Sequence, residues 1–213
     1  MICNYTYSPI IEDYQKDGKL NVAAILKALE NSGNLHSDSA GDNIIAGSNN
    51  NKAWVLTDWR IQIDKYPSYG NKIDVQTWAE DGKVILSTNR GFLMTSNNEV
   101  LVRGLSKWVL LDLQTNRPMK IDEELIKKYN PDSKRSFEDS KFSKIDSPST
   151  FESEKIIQLR RSDIDFNGHV HNLCYLDYAL DALPVDVYKN ISIKNIRISY
   201  KTPIKDGDSV VAK

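Results

Sequence analysis

The chain is poor in residues that carry catalytic or structural chemistry on their own. Among 213 residues it holds two cysteines, Cys3 and Cys174. Two thiols build neither a disulfide framework nor a cysteine metal cluster. Histidine is as scarce, with His36, His169 and His171 the complete set. Without further ligands these make no metal site, so no metal and no cofactor are expected. There is no Gly-rich phosphate loop and no serine nucleophile elbow, which removes P-loop and serine-hydrolase chemistry. An excess of one charge is missing too: 28 Lys and Arg face 29 Asp and Glu, for a net charge of −1. Nothing global therefore draws the chain to nucleic acid or an anionic membrane, and neither is an expected partner. No apolar run approaches the roughly 20 residues that span a bilayer. The opening Met1-Ile2-Cys3-Asn4-Tyr5-Thr6 lacks the basic and apolar regions of a signal peptide and the Arg/Ser bias of a transit peptide, giving a cytoplasmic expectation.

What is present is the composition of a globular protein, 40% hydrophobic and 27% charged. The length suits one large domain or two small ones. One plan runs through it twice: a strand, a helix, then antiparallel strands. In the first copy, residues 1–117, Val22, Ile25, Leu26 and Leu29 form an apolar helical face that is expected to fade near Ser32-Gly33. Trp59, Ile61 and Ile63 then alternate with polar residues, as do Ile73, Val75 and Thr77 after the turn at 66–71. Longer strands are expected at about 84–95 and 100–112 around a hairpin at Ser96–Glu99. A long helix against such a meander implies a helix wrapped by a sheet. Residues 118–153 are charged and Ser/Pro-containing, and read as a linker with a short helix near Asp122–Tyr129. The second copy, 154–213, carries a strand at 156–161 and a loop. A helix bearing Leu173, Leu176, Leu180 and Leu183 follows, ended by Pro184, then strands at about 191–201 and 209–212. Compared with the first copy it looks incomplete at its C-terminal end.

The loop of the second copy is the most informative stretch. Asp165, Asn167 and His169 stand at every second position on a Gly-containing turn that enters an amphipathic helix. Asp165 can act as general base or nucleophile, Asn167 can fix a water or a carbonyl, and His169 can share the proton. Backbone N–H groups of Val170, His171 and Asn172 at the helix start are candidates for an oxyanion hole. Asp and Asn also form turns, and His caps helices, so the same residues have a structural reading. Cys174, on the helix, reads as core and not as a nucleophile, and Asp163 as shaping the loop.

Several segments together resemble the plant-type and bacterial acyl-acyl-carrier-protein (acyl-ACP) thioesterases. They are Trp54-Val55-Leu56-Thr57, Ile63-Asp64-Lys65-Tyr66-Pro67-Ser68-Tyr69-Gly70, Val75-Gln76-Thr77-Trp78, Ser106-Lys107-Trp108-Val109 and, most specifically, Ser162–Asn172. The resemblance implies an α+β fold with two hotdog units in tandem, each a central helix wrapped by an antiparallel sheet. It also implies hydrolysis of acyl-ACP to free fatty acid, and an acyl chain entering the first unit near Val22, Ile25, Leu26 and Leu29. One or two of Trp54, Trp59, Trp78 and Trp108 could line the acyl tunnel, the others being core. Acyl carrier protein is acidic, so Arg160, Arg161, Lys194, Arg197, Lys201 and Lys205 become docking candidates. A salt-bridged sheet face explains those charges equally well. A homodimer is a family-level expectation.

The sequence departs from the family at two positions. The family's catalytic glutamate, three residues beyond a tyrosine, falls on Pro203 counting from Tyr200, with Asp206 nearby, and His171 replaces an asparagine. The pattern Asp165-x-x-Gly168-His169-Val170 followed by Asn172-x-x-Tyr175 also resembles hotdog acyl-CoA thioesterases, which use the loop aspartate without that glutamate. Acyl-CoA hydrolysis, and acyl binding without catalysis, therefore stand as alternatives.

Overall fold

The computed structural model describes residues 1–42, 51–82 and 85–213. They form two compact units: Met1–Ser143 with Lys194–Ser199, and Lys144–Ile193 with Tyr200–Lys213.

In the first unit, strand β1 (Cys3–Tyr7) leads to helix α1 (Val22–Ser39), then β2 (Lys52–Ile63), β3 (Ile73–Ala79), β4 (Ser87–Ser96), β5 (Glu99–Asp112) and the short β6 (Arg117–Pro118). Helix α2 (Glu123–Lys128) follows, and β8 (Asn195–Ser199) returns from later in the chain. Among the described residues these strands make one antiparallel sheet of order β1-β3-β4-β5-β2-β8, with β6 on β5. The expected strand start at Val84 lies outside the described residues. The β4–β5 hairpin turns through Asn97 and Asn98, both at positive φ, as a tight two-residue turn requires.

Alternation along the strands decides what faces the helix. Ile61, Gly104 and Phe92 are paired across β2, β5 and β4, so they share one face. A Cβ on Gly104 would meet Leu29 of α1 at 3.1 Å, which identifies that face as the helix side. Trp59, Ile61, Phe92, Met94, Ile25, Leu26 and Leu29 are fully buried. Trp59 stacks on Phe92 with ring centroids 5.0 Å apart. Helix α1 begins where the Asn21 side chain accepts the Ala24 N–H at 2.7 Å. It does not fade at Gly33 but continues to Ser39. Gly33 lies where α1 crosses Arg90 and Phe92, which a Cβ there would meet at 3.5 and 3.7 Å. Packing, not a C-cap, accounts for that glycine.

The last turn of α1 carries a buried polar group. Arg90 donates to His36 Nδ1 at 2.7 Å, and its guanidinium lies over the Tyr129 ring. Tyr129 in turn donates to Asp42 at 2.5 Å. Burial first, then the Arg90 charge, lowers the His36 pKa to about 4, so the imidazole is neutral.

Within the charged 118–153 stretch, α2 is capped by Asp122, whose side chain accepts the Glu124 N–H. Beyond it the chain runs over the sheet face opposite the helix. Trp78 donates to the Lys134 carbonyl at 2.7 Å and Ser136 to that of Gly104 at 2.8 Å. Arg60 stacks on Phe137 and pairs with Asp139.

The second unit holds β7 (Lys155–Ile157) paired antiparallel with β9 (Val210–Ala212), and helices α3 (Asn172–Asp181) and α4 (Val185–Asn190). Helix α3 ends before Pro184, which caps α4. The expected strand at 156–161 is limited to 155–157, because Arg161–Asp163 wind into a 3₁₀ turn. Ile157, Val170 and Tyr178 form its buried core.

Candidate active site

The loop between the 3₁₀ turn and α3 is built by a backbone pattern that the first unit repeats 150 residues earlier. Asp13 N–H donates to Ile10 O at 3.1 Å, and Asp163 N–H to Arg160 O at 3.0 Å. Gln15 N–H donates to Lys19 O, and Asp165 N–H to His169 O, both at 2.7 Å. Leu20 N–H reaches Pro67 O and Val170 N–H reaches Ile204 O, both at 2.8 Å. Gly18 and Gly168 both take φ +76°, a left-handed turn position that glycine fills without strain. Each loop is held from inside by a buried aspartate: Asp13 accepts from Tyr7 and Ile10, Asp163 from Tyr178 and Arg160. Burial acts to raise the Asp163 pKa, but the Tyr178 hydrogen bond, the Arg160 N–H and the Arg160 charge outweigh it and lower the value. Asp163 shapes the loop and remains a carboxylate.

The repeat separates scaffold from chemistry. The first loop adopts the shape with Gln15, Asp17 and Lys19 where the second has Asp165, Asn167 and His169. The fold thus does not need an acid, an amide and an imidazole at those positions. Asp165 is half-buried, and its Oδ1 accepts the Asn167 and His169 N–H groups at 2.8 and 3.2 Å. Its Oδ2 has no donor among the described residues. One oxygen anchors the loop and the other can take a proton. The His169 ring is half-buried, Asn167 is exposed, and Phe166 at the loop tip is 71% exposed.

The expected oxyanion donors fare differently. Val170 N–H is engaged by Ile204 O, and His171 N–H by Asp163 O at 2.8 Å. Neither can receive a substrate oxygen without breaking the loop, which corrects that expectation. His171 caps α3, its Nδ1 accepting the Leu173 N–H at 3.3 Å. Asn172 N–H, at the first helical position, has no intrahelical partner. Tyr200 donates to the Asn172 carbonyl.

Pro203 is exposed, and the following residue docks on the loop. Ile204 O accepts from Val170, and Ile204 N–H donates to Tyr175 Oη at 2.9 Å. Tyr175 stacks edge-on against Tyr200 at 5.3 Å. Its hydroxyl belongs to the site neighbourhood although the sequence reading gave it no role; the only signal was the spacing Asn172-x-x-Tyr175. Burial, then the charges of Asp163 and Asp177, push the Cys174 thiol up to about 11, which disfavours the thiolate.

Of the docking candidates, Arg161, Lys194, Lys201 and Lys205 are exposed. Arg160 is paired with Asp163 at 3.0 Å. Arg197 is engaged by Asp58 and the Ser143 carbonyl and lies over Phe142, so it is part of the sheet's scaffold and no free cation. Val22, Ile25, Leu26 and Leu29 are all buried on α1. Among the described residues no His, Cys, Asp and Glu cluster is arranged to hold a metal ion, and no helix is long and apolar enough to cross a membrane.

Residues 3–129 match the family model described as the acyl-ACP thioesterase N-terminal domain, and residues 147–212 that of the C-terminal domain. The chain belongs to the acyl-ACP thioesterase family. It is 27% identical over 173 residues to a chloroplastic acyl-[acyl-carrier-protein] hydrolase of Cuphea viscosissima, a match covering 78% of this chain and 41% of that protein. It is 32% identical over 159 residues to a chloroplastic palmitoyl-acyl carrier protein thioesterase of Arabidopsis thaliana, covering 71% of this chain and 38% of that one. The chain thus spans less than half the length of these curated relatives. Among solved structures, the 12:0-ACP thioesterase of Umbellularia californica superposes with a TM-score of 0.88 at 19% identity, covering 99% of this chain and 85% of that one. An acyl-ACP thioesterase of Bacteroides thetaiotaomicron gives 0.83 at 26% identity, covering 98% and 84%. The fold is the α+β double hotdog.

Proposed function

We propose that this chain hydrolyses the thioester of fatty acyl-ACP, releasing free fatty acid and carrier protein in the cytoplasm. The observation that carries the reading is the Asp165 carboxylate, anchored through Oδ1 by two backbone N–H groups while Oδ2 stays open. Oδ2 takes a proton from water as the water oxygen attacks the thioester carbon, and the C–S bond breaks when the tetrahedral intermediate collapses. Asn167 and His169 share the loop with Asp165 and hold the water or steady the transferred proton. The acyl chain lies in the interior of the first unit beside Val22, Ile25, Leu26 and Leu29. The exposed cations Arg161, Lys201 and Lys205 of the second unit meet the acidic carrier, and the protein assembles as a homodimer.

Family membership, together with an acid at Asp165 where the first-unit twin has Gln15, supports catalysis over passive acyl binding. The experiment is thiol release from purified protein on C8 to C18 acyl-ACPs and the matching acyl-CoAs. Turnover that is faster on acyl-ACP supports the reading. Equal or faster turnover on acyl-CoA replaces the carrier-protein substrate with the coenzyme A ester. Binding with no turnover on either contradicts hydrolysis.

A further inference from the structure

The site has a base but lacks two of its expected oxyanion donors, since Val170 and His171 N–H both donate to backbone carbonyls. A thioester carbonyl develops negative charge as water adds, and some donor must face it. Tyr175 offers one. Its Oη accepts the Ile204 N–H at 2.9 Å, and its own proton has no acceptor among the described residues. A hydroxyl that accepts one hydrogen bond is a stronger donor in the next.

Direction supports the assignment. Tyr175 lies three residues beyond Asn172, on the same face of α3. Helical side chains lean toward the N-terminus of their helix, so the phenol reaches back over the turn where the loop enters. The carboxylates of Asp165 and Asp208 act on it electrostatically. With burial the largest cause, and despite the Ile204 N–H, they raise the phenol's pKa and keep the proton on oxygen.

The first unit shows what this position looks like without that duty. The residue equivalent to Tyr175 is Ile25, fully buried, and the residue equivalent to Ile204 is Pro67, which has no N–H to satisfy. A purely structural need at Ile204 is thus met in the first unit by proline and a hydrocarbon. The second unit has a hydroxyl instead.

Resting on the proposed hydrolysis, we infer that Tyr175 is a catalytic residue whose Oη–H donates to the thioester carbonyl oxygen and holds the oxyanion formed there. Water oxygen bonds to the acyl carbon, Asp165 takes the water proton, and the carbonyl π pair moves onto the oxygen facing Tyr175. Collapse returns that pair and breaks C–S, and the departing thiolate takes the proton from Asp165, which restores the carboxylate. Tyr175 keeps its proton throughout.

The test is Tyr175→Phe, Ile204→Pro and the double variant, assayed on the best acyl-ACP substrate beside wild type, with thermal midpoints for each. The inference expects Tyr175→Phe to lower kcat by on the order of 100-fold, with KM changed less than about threefold. Ile204→Pro removes the N–H that holds and polarises the hydroxyl, and should lower kcat by less than Tyr175→Phe does. The double variant should remain as slow as Tyr175→Phe. Wild-type kcat in Tyr175→Phe, or its restoration by Ile204→Pro, would show that Tyr175 only satisfies the Ile204 N–H and would overturn the inference. A second readout does not depend on the proline variant. Tyr175→Phe should bind an alkyl trifluoromethyl ketone, whose hydrate mimics the oxyanion, at least tenfold more weakly, but bind the carbonyl-free thioether unchanged. Equal loss on both overturns it. Absence of wild-type turnover would sink the hydrolase reading and this inference together; turnover with an unaffected Tyr175→Phe sinks the inference alone.

Discussion

At Asp165 the candidate chemistry comes down to two oxygen atoms. Asp165 Oδ1 fastens the loop, and Oδ2 is left for a proton. Cys174 sits one turn into the adjoining helix, within 4.0 Å of the Asp163 carbonyl, with its thiol held neutral. Cys174→Ser should therefore change turnover less than about twofold, and native protein at pH 8 should resist iodoacetamide far longer than unfolded protein. Rapid alkylation with loss of activity would contradict this placement. The loop that carries Asp165 was legible in the sequence because residue type and spacing mark the turn into the helix. The loss of Val170 and His171 as oxyanion donors was not legible, since it depends on where the carbonyls of Ile204 and Asp163 fall in space. The Tyr175 contact escaped for the same reason, since it joins residues 29 apart in sequence.

At the scale of elements, two glycines make opposite predictions. Gly33 lies inside α1, where a Cβ would make ordinary contacts at 3.5 Å or more. Gly33→Ala should stabilise the protein by about 0.5–1 kcal/mol through helix propensity. Gly91 lies in β4 beneath Trp78, whose ring a Cβ would meet at 2.5 Å. Gly91→Ala must displace a buried indole that is also fixed by its bond to Lys134 O, and should cost roughly 1–3 kcal/mol or more. Thermal or urea unfolding of the pair checks both signs. The same contacts explain where element boundaries were misread. A glycine followed by polar residues looks like a helix end, but Arg90 and His36 give α1 two more turns of buried surface. The charged stretch after α2 reads as linker because its anchors are backbone carbonyls and turned-in aromatics, which leave no periodic pattern.

For the whole molecule, the repeated plan was legible because both copies use the same turn glycines and helix faces. Less legible was the partner of β8. That strand follows α3 and α4 in sequence yet pairs with β2, and alternation along a strand does not name its neighbour. Global stability should also depend on pH through one buried group. Neutral His36, with its pKa lowered from 6.5 to about 4, binds its proton more weakly folded than unfolded. Its contribution is present above pH 6.5 and is lost as pH falls toward 4. Between pH 7 and 5 this amounts to about 2 kcal/mol. Glu80, buried and raised, contributes in the opposite sense, and the comparison of wild type with His36→Gln cancels it. Urea unfolding at pH 7 and 5 should show the loss in wild type and a much smaller one in His36→Gln. An equal slope in both would remove His36 as the cause.

The central claim is that Asp165 acts as the base and is more than a turn-former, and Asp165→Asn isolates it. The amide keeps an oxygen to accept the Asn167 and His169 N–H groups, but it cannot take a proton. Thiol release from acyl-ACP by this variant should fall by roughly 10²–10⁴-fold with the thermal midpoint within a few degrees of wild type. Retention of wild-type turnover in a folded Asp165→Asn protein would contradict the account.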